Sequence, residues 1–98
     1  MTIQADTTSD GVKITVEGRF DFSAHKEFRE AYESGTEADS YTLDMKEATY
    51  LDSSALGMLL LLRDHAGGDE SSVEIVNCNT EVKKILAISN FEQLFTIH

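Results

Sequence analysis

Period-two alternation opens the chain. Ile3, Ala5 and Thr7 face one way, and Gln4, Asp6 and Thr8 the other. After Ser9-Asp10-Gly11 the alternation resumes, with Val12, Ile14 and Val16 against Lys13, Thr15 and Glu17. Such a period describes a strand with one dry face. Asp-Gly between two alternating runs marks a hairpin, because a type I′ turn needs positive φ. Residues 2–18 therefore predict a β-hairpin with one wet face. Gly18-Arg19-Phe20-Asp21-Phe22 breaks the alternation and reads as a loop. Ser23 is the expected helix N-cap. Ala24, Phe28, Ala31 and Tyr32 then share one helical face, and the polar stretch from Glu33 ends the helix near Gly35.

Tyr41, Leu43 and Met45 alternate with Thr42 and Asp44 and predict a strand, with Lys46–Asp52 as a short connection. Ala55, Leu56, Leu59, Leu60, Leu62 and Ala66 cover a wide helical arc that Gly67-Gly68-Asp69 terminates. Val73-Glu74-Ile75-Val76 is a β-type run. Thr80 is the expected cap of a helix carrying Val82, Ile85, Leu86 and Ser89 on one side, and Phe91, Leu94, Phe95 and Ile97 form an apolar end segment that includes a last short strand. The order β-β-α-β-α-β-α-β predicts a single α/β domain over residues 1–98: a hairpin, then crossovers joining parallel neighbours. Alternating strands, in place of wholly apolar ones, predict a mixed sheet with helices mainly on one face.

A chain of 98 residues has room for one modest core. Its 18 acidic and 8 basic side chains give a formal charge of -10. Residues 1–39 and 40–98 each carry 9 acids and 4 bases, so the acid is spread over the body. This argues against direct nucleic-acid binding, which needs clustered Lys and Arg, and against electrostatic attachment to an anionic membrane. The longest apolar run, Met58–Leu62, is far short of the ~20 residues that span a bilayer. No signal peptide is visible at the N-terminus. One cysteine, Cys78, excludes an internal disulfide and fits a reducing cytoplasm.

The stretch richest in chemistry is Leu43 to Gly57. It reads as a strand, a short loop, and two hydroxyls, Ser53 and Ser54, at the start of an apolar helix. First-turn N–H groups lack internal partners and carry partial positive charge, so an anion attached at Ser53 would sit near them. Phosphorylation there would add about two negative charges and several acceptor oxygens. Asp-Ser-Ser before a helix is equally an ordinary cap in which Asp52 or Ser53 accepts an N–H bond. The two readings are compatible.

These residues resemble a family signature. Leu51-Asp52-Ser53-Ser54-Ala55-Leu56-Gly57 is similar to the apolar-Asp-Ser-Ser/Thr-Gly-Leu-Gly pattern of STAS domains, the fold of bacterial anti-sigma-factor antagonists. Gly18-Arg19-Phe20-Asp21 resembles the family's Gly-x-apolar-Asp after the second strand. The element order matches over nearly the whole chain. The resemblance implies Ser53 as a phosphorylated serine, Asp52 as its acidic neighbour and Asp21 as a contact on the adjacent loop. It implies that the unmodified protein binds an anti-sigma factor, often itself a serine kinase, and frees the sigma factor. Phosphorylation by the kinase would weaken that binding, and a PPM-type serine phosphatase would reset it. The chain would be a cytoplasmic regulator of transcription, monomeric when free, without cofactor, and not an enzyme. A second class within the resemblance is a cytoplasmic accessory subunit of a lipid or anion transporter, with the Ser53 region as a fixed docking surface. Two departures stand out: Ala55 replaces the family glycine, and the chain ends at His98 without the long C-terminal helix of many relatives.

On a helical wheel Ser54, Met58, Leu61 and His65 form one stripe, opposite Leu56, Leu59 and Ala66. If the latter three face the sheet, Met58 and Leu61 lie near the surface beside Ser53, as a partner-binding patch; a helix buried all round is the equal alternative. Together with Asp21, Asp52 and the motif position Ala55, which the resemblance implies, Ser54, Met58 and Leu61 are the expected partner-binding residues. A Ser53-His65-Asp52 triad fails on spacing. Adjacent Asp and Ser cannot flank one imidazole, and His65 lies roughly 18 Å along the helix. His25, His65 and His98 show no ligand spacing with Cys78 or acid pairs, so no metal site is expected. Cys78 reads as a small residue at a strand end and Lys83-Lys84 as a solvated helix face.

Overall fold

The structure, a computed structural model, describes residues 2–7, 11–33, 40–68 and 72–98. Strands β1 (Thr2–Thr7) and β2 (Val12–Phe20) pair antiparallel, with Thr7 opposite Val12, as the hairpin reading requires. Part of the expected turn (Ser9-Asp10) and the region of Gly35 lie outside the described residues. A 3₁₀ turn (Phe22–Ala24) leads into α1 (His25–Glu33). There follow β3 (Tyr41–Leu51), α2 (Ser53–Ala66), β4 (Val73–Val76), α3 (Thr80–Ile88), a second 3₁₀ turn (Phe91–Gln93) and β5 (Thr96–Ile97). The sheet runs β1-β2-β3-β4-β5, parallel everywhere except the first pair.

This order explains the position of the helices. Three successive crossovers step the same way across the sheet. Right-handed crossovers in one direction leave all their helices on one face. Burial agrees: one register row runs Ala5, Ile14, Leu43, Ile75, Ile97 across the five strands. Its three central members are wholly buried beneath the helices. Each contributes about 1.5–3 kcal/mol by leaving water. The neighbouring rows, including Lys13, Thr15, Thr42, Glu74 and Thr96, lie on the open face and are polar but for the half-buried Val76 beside Asp44.

Asp44 is the exception on that open face. It is the one buried charged residue among those described. Its Oδ1 accepts from the Lys46 N–H at 3.0 Å and from the Asn77 amide at 3.1 Å, and Lys13 Nζ lies 3.5 Å from Oδ2. Asn77 reaches back over β3 because its backbone is left-handed, φ 60°, which asparagine tolerates better than most residues. Burial pushes the Asp44 carboxyl up, but these donors and the Lys13 charge outweigh burial and hold it below its usual range.

Both central strands run further than their alternation predicts. The expected loop at Gly18–Phe22 is strand through Phe20, and the expected connection at Lys46–Asp52 is strand through Leu51. Two register shifts in the β2–β3 ladder, between Thr15 and Glu17 and between Gly18 and Arg19, account for the difference. A bulge inserts an unpaired residue and moves the buried set off period two. Gly18, at φ 84°, supplies the positive φ there. In β3 the buried positions accordingly step by three, Met45, Ala48 and Leu51, while β2 keeps its parity from Val16 to Phe20, with Gly18, which has no side chain to bury, between them.

The caps also sit one or two residues earlier than expected. Asp21, not Ser23, caps the first turn, and Asn79, not Thr80, caps α3. In each case the cap has extended backbone, from which a side-chain oxygen reaches an N–H two or three residues on. The Asn79 amide also donates to the Ala48 carbonyl at 2.8 Å, tying α3 to β3.

Candidate functional site

The parallel ladder pairs Phe20 with Leu51 at the ends of β2 and β3. Both side chains are buried, so Asp21 and Asp52 leave the sheet side by side. The Asp52 N–H donates to the Phe20 carbonyl at 3.3 Å and fixes the two exits together. The sequence-predicted Asp21, Asp52 and Ser53 thus converge at the carboxyl edge of the sheet.

Asp52 takes the capping role. Its Oδ1 accepts the Ala55 N–H at 2.9 Å. That settles the division left open by the sequence: Ser53 is the first residue of α2, with its side chain exposed. Asp21 is held by Ser23, whose N–H donates at 3.0 Å and whose hydroxyl donates to the same oxygen. Those bonds, the hydroxyl's first, hold the Asp21 carboxyl below its usual range. The other Asp21 oxygen faces Arg19 Nε at 4.0 Å. Arg19 in turn lies over the Tyr50 ring at 4.5 Å.

The helix α2 divides the expected patch. Ala55, Met58, Leu59 and Leu62 form the buried arc, while Leu56 and Ala66 are only partly buried. Met58 is 3 % exposed and Ala55 0 %, so neither offers a side chain to a partner. Leu61, by contrast, is 48 % exposed. Of the two expectations, a surface patch and a helix buried all round, Met58 follows the second and Leu61 the first. α1 lies along the flank carrying His65, whose ring is 4.9 Å from that of Tyr32. Met58 is seven residues earlier on that flank, two turns down. The exposed face runs Ser53, Gly57, Leu60, Leu61 and Asp64, and Ser54 at its margin is half-buried.

Three residues near Ser53 escaped the sequence reading. Phe22 is 70 % exposed and stacks on His25 with ring centroids 5.8 Å apart. Tyr50 and Arg19 form the cation–π pair. Phe22 carried half a signal: it lies off the Ala24-Phe28-Ala31-Tyr32 face, but its spacing of two from Phe20 keeps it in phase with the strand, and the 3₁₀ turn is what takes it out of the core.

His65 lies between Tyr32 and Tyr41 at the other end of α2, far from Asp52. Among the described residues no group of three or more His, Cys, Asp or Glu side chains is placed to hold a metal. No helix among them is long and apolar enough to cross a membrane.

A family model described as "Mlab, STAS domain" matches residues 3–96. A STAS-domain containing protein of Pseudomonas aeruginosa strain UCBPP-PA14 is 58% identical over 100 residues, covering 99% of each chain. The solved anti-sigma factor antagonist SpoIIAA, unphosphorylated, has a TM-score of 0.83 at 16% identity, covering 99% of this chain and 88% of that one. The phosphorylated form of SpoIIAA from Bacillus gives 0.72 at 16%, with 99% and 91% covered. An anti-sigma factor antagonist from Mycobacterium paratuberculosis gives 0.85 at 14%, with 99% and 84% covered. At such identities the solved structures speak to the fold. Membership rests on the family model and the Pseudomonas relative: this chain belongs to the STAS-domain family.

Proposed function

We propose that this protein is an anti-sigma-factor antagonist that binds its partner unmodified and is switched off by phosphorylation of Ser53. The observation that carries the reading is the division of labour at the start of α2. Asp52 takes the cap hydrogen bond, and the Ser53 side chain is exposed at the helix start. A kinase can reach it without unfolding the helix, and the phosphate would lie beside first-turn N–H groups. Asp21, Asp52 and Ser54 beside it, and Leu61 about two turns along the exposed face of α2, are the partner contacts in this reading. The fold this chain shares with anti-sigma factor antagonists, among them SpoIIAA, which is also known in a phosphorylated form, supports the same reading.

In this reading the chain is a cytoplasmic substrate and binding partner, not a catalyst. A PPM-type serine phosphatase resets the switch. Phosphate on Ser53 acts locally. It places a hydrated dianion in an interface that must shed water, and it lies close to two carboxylates. Incubation with the cognate kinase and ATP, followed by phosphopeptide mapping, tests the site. Label on Ser53, abolished in Ser53→Ala, is expected; label confined to other residues overturns the assignment. Partner binding by Ser53→Ala and Ser53→Asp alike, with no phosphoform in cells, would indicate constitutive docking, as on a transporter subunit.

A further inference from the structure

Six large apolar side chains are exposed among the described residues: Phe22, Tyr50, Leu60, Leu61, Ile88 and Leu94. Single exposed apolar residues are ordinary. Phe22 and Tyr50 differ in lying at the same sheet edge as Ser53 and in being held there by named contacts. Phe20 turns inward, its ring 5.0 Å from Phe28, while Phe22, two residues later, turns into water. The outward ring is fixed. It stacks on His25, and its backbone sits in a 3₁₀ turn capped by Asp21. An aromatic ring already held in place loses little entropy on binding, and such groups carry much of the energy of protein interfaces.

We propose that Phe22 is the anchor of the docking surface, seating in an aromatic-sized apolar pocket of the anti-sigma factor. A donor at the pocket rim meets Asp21. This inference rests on the reading that Ser53 gates partner binding, and it deepens that reading by naming what the partner must present. Charge supports the choice of partner chemistry. One Asp21 oxygen is taken up by Ser23, and among the described residues the other faces Arg19 Nε at a loose 4.0 Å, a contact that a partner N–H or cation can replace. The Arg19–Tyr50 pair forms the far rim. A ring seated in a pocket excludes water around it, which is why a phosphate nearby would be so costly.

The test uses the anti-sigma factor retained by Ser53→Ala resin, identified, then purified separately and titrated by calorimetry against the full chain. Phe22→Ala should raise Kd by about tenfold or more, and Phe22→Leu by less. Ile88→Ala, at a more exposed apolar residue elsewhere (82 %), should change Kd less than about twofold, as a residue outside the hot spot does. Unaltered thermal midpoints exclude unfolding as the cause. Phe22→Ala binding like wild type while Ser53→Asp fails overturns the anchor and leaves the switch. Ser53→Asp binding like wild type overturns the switch itself, and retention of no anti-sigma factor overturns both. Equal losses from Phe22→Ala and Ile88→Ala reduce the effect to general surface hydrophobicity and overturn the anchor.

Discussion

In the proposed switch Asp52 and Ser53 split two jobs that one serine could have held. Because Asp52 satisfies the Ala55 N–H, Ser53 can change charge without costing the helix its cap. This predicts opposite behaviour at adjacent residues. Asp52→Ala should lower stability by about 1 kcal/mol through loss of the cap, read as a shift in the urea midpoint at constant slope. Ser53→Ala should leave the midpoint nearly unchanged. A large loss from Ser53→Ala and none from Asp52→Ala would reverse the assignment. Sequence spacing could not make this distinction, since both residues are good caps. It takes the extended backbone of Asp52, φ -106° and ψ -177°, to decide between them.

Among the elements, β3 links the open face to the start of α2, where Ser53 lies. Asp44 pins its middle, and Leu51 delivers Asp52 to the start of α2. The Asp44 carboxyl is held below its ordinary value of 3.8 in the fold. A folded pKa below the unfolded one stabilises at pH above the unfolded value, and that stability is lost as pH falls through the folded value. Asp44→Asn should therefore lower the thermal midpoint at neutral pH. It should also flatten the midpoint's decline below about pH 4, where the unfolded carboxylate starts to protonate. An unchanged acid limb in Asp44→Asn would show that other carboxylates set it. Asp21 is lowered in the same direction and contributes to the same limb.

The elements were also where the sequence was most and least legible. Val12, Ile14 and Val16 announced β2, and Ala24, Phe28, Ala31 and Tyr32 announced α1, because each buries one face against the core. The end of β3 was hidden because its buried positions leave period two at Met45, Ala48 and Leu51, and the end of β2 because Gly18 puts no side chain into the alternation between Val16 and Phe20. Met58 stayed open between a surface patch and a helix buried all round because α1, which packs on α2, is a long-range neighbour that α2's own residues do not encode. The motif fixed Asp21, Asp52 and Ser53 in sequence; only the Phe20–Leu51 register shows that they meet in space.

On the scale of the whole molecule, the charge of -10 limits the mechanism. One phosphate takes it to about -12, a small relative change. At physiological salt, screening confines such effects to about 8 Å. A switch at Ser53 must then work by local repulsion, bulk and desolvation at the docking surface. Net charge would act wherever it was placed; a local switch acts at one edge of the sheet. Gln93 offers the comparison. It is exposed and adjoins Leu94, whose carbonyl accepts from Arg63 Nε at 3.2 Å, ten residues along α2 from Ser53. The most direct test is the affinity of the purified anti-sigma factor for Ser53→Asp and Gln93→Glu, each adding one acid, at about 0.15 M salt. A local switch predicts at least about tenfold weaker binding for Ser53→Asp and wild-type affinity for Gln93→Glu. Equal affinities for the two variants would contradict it.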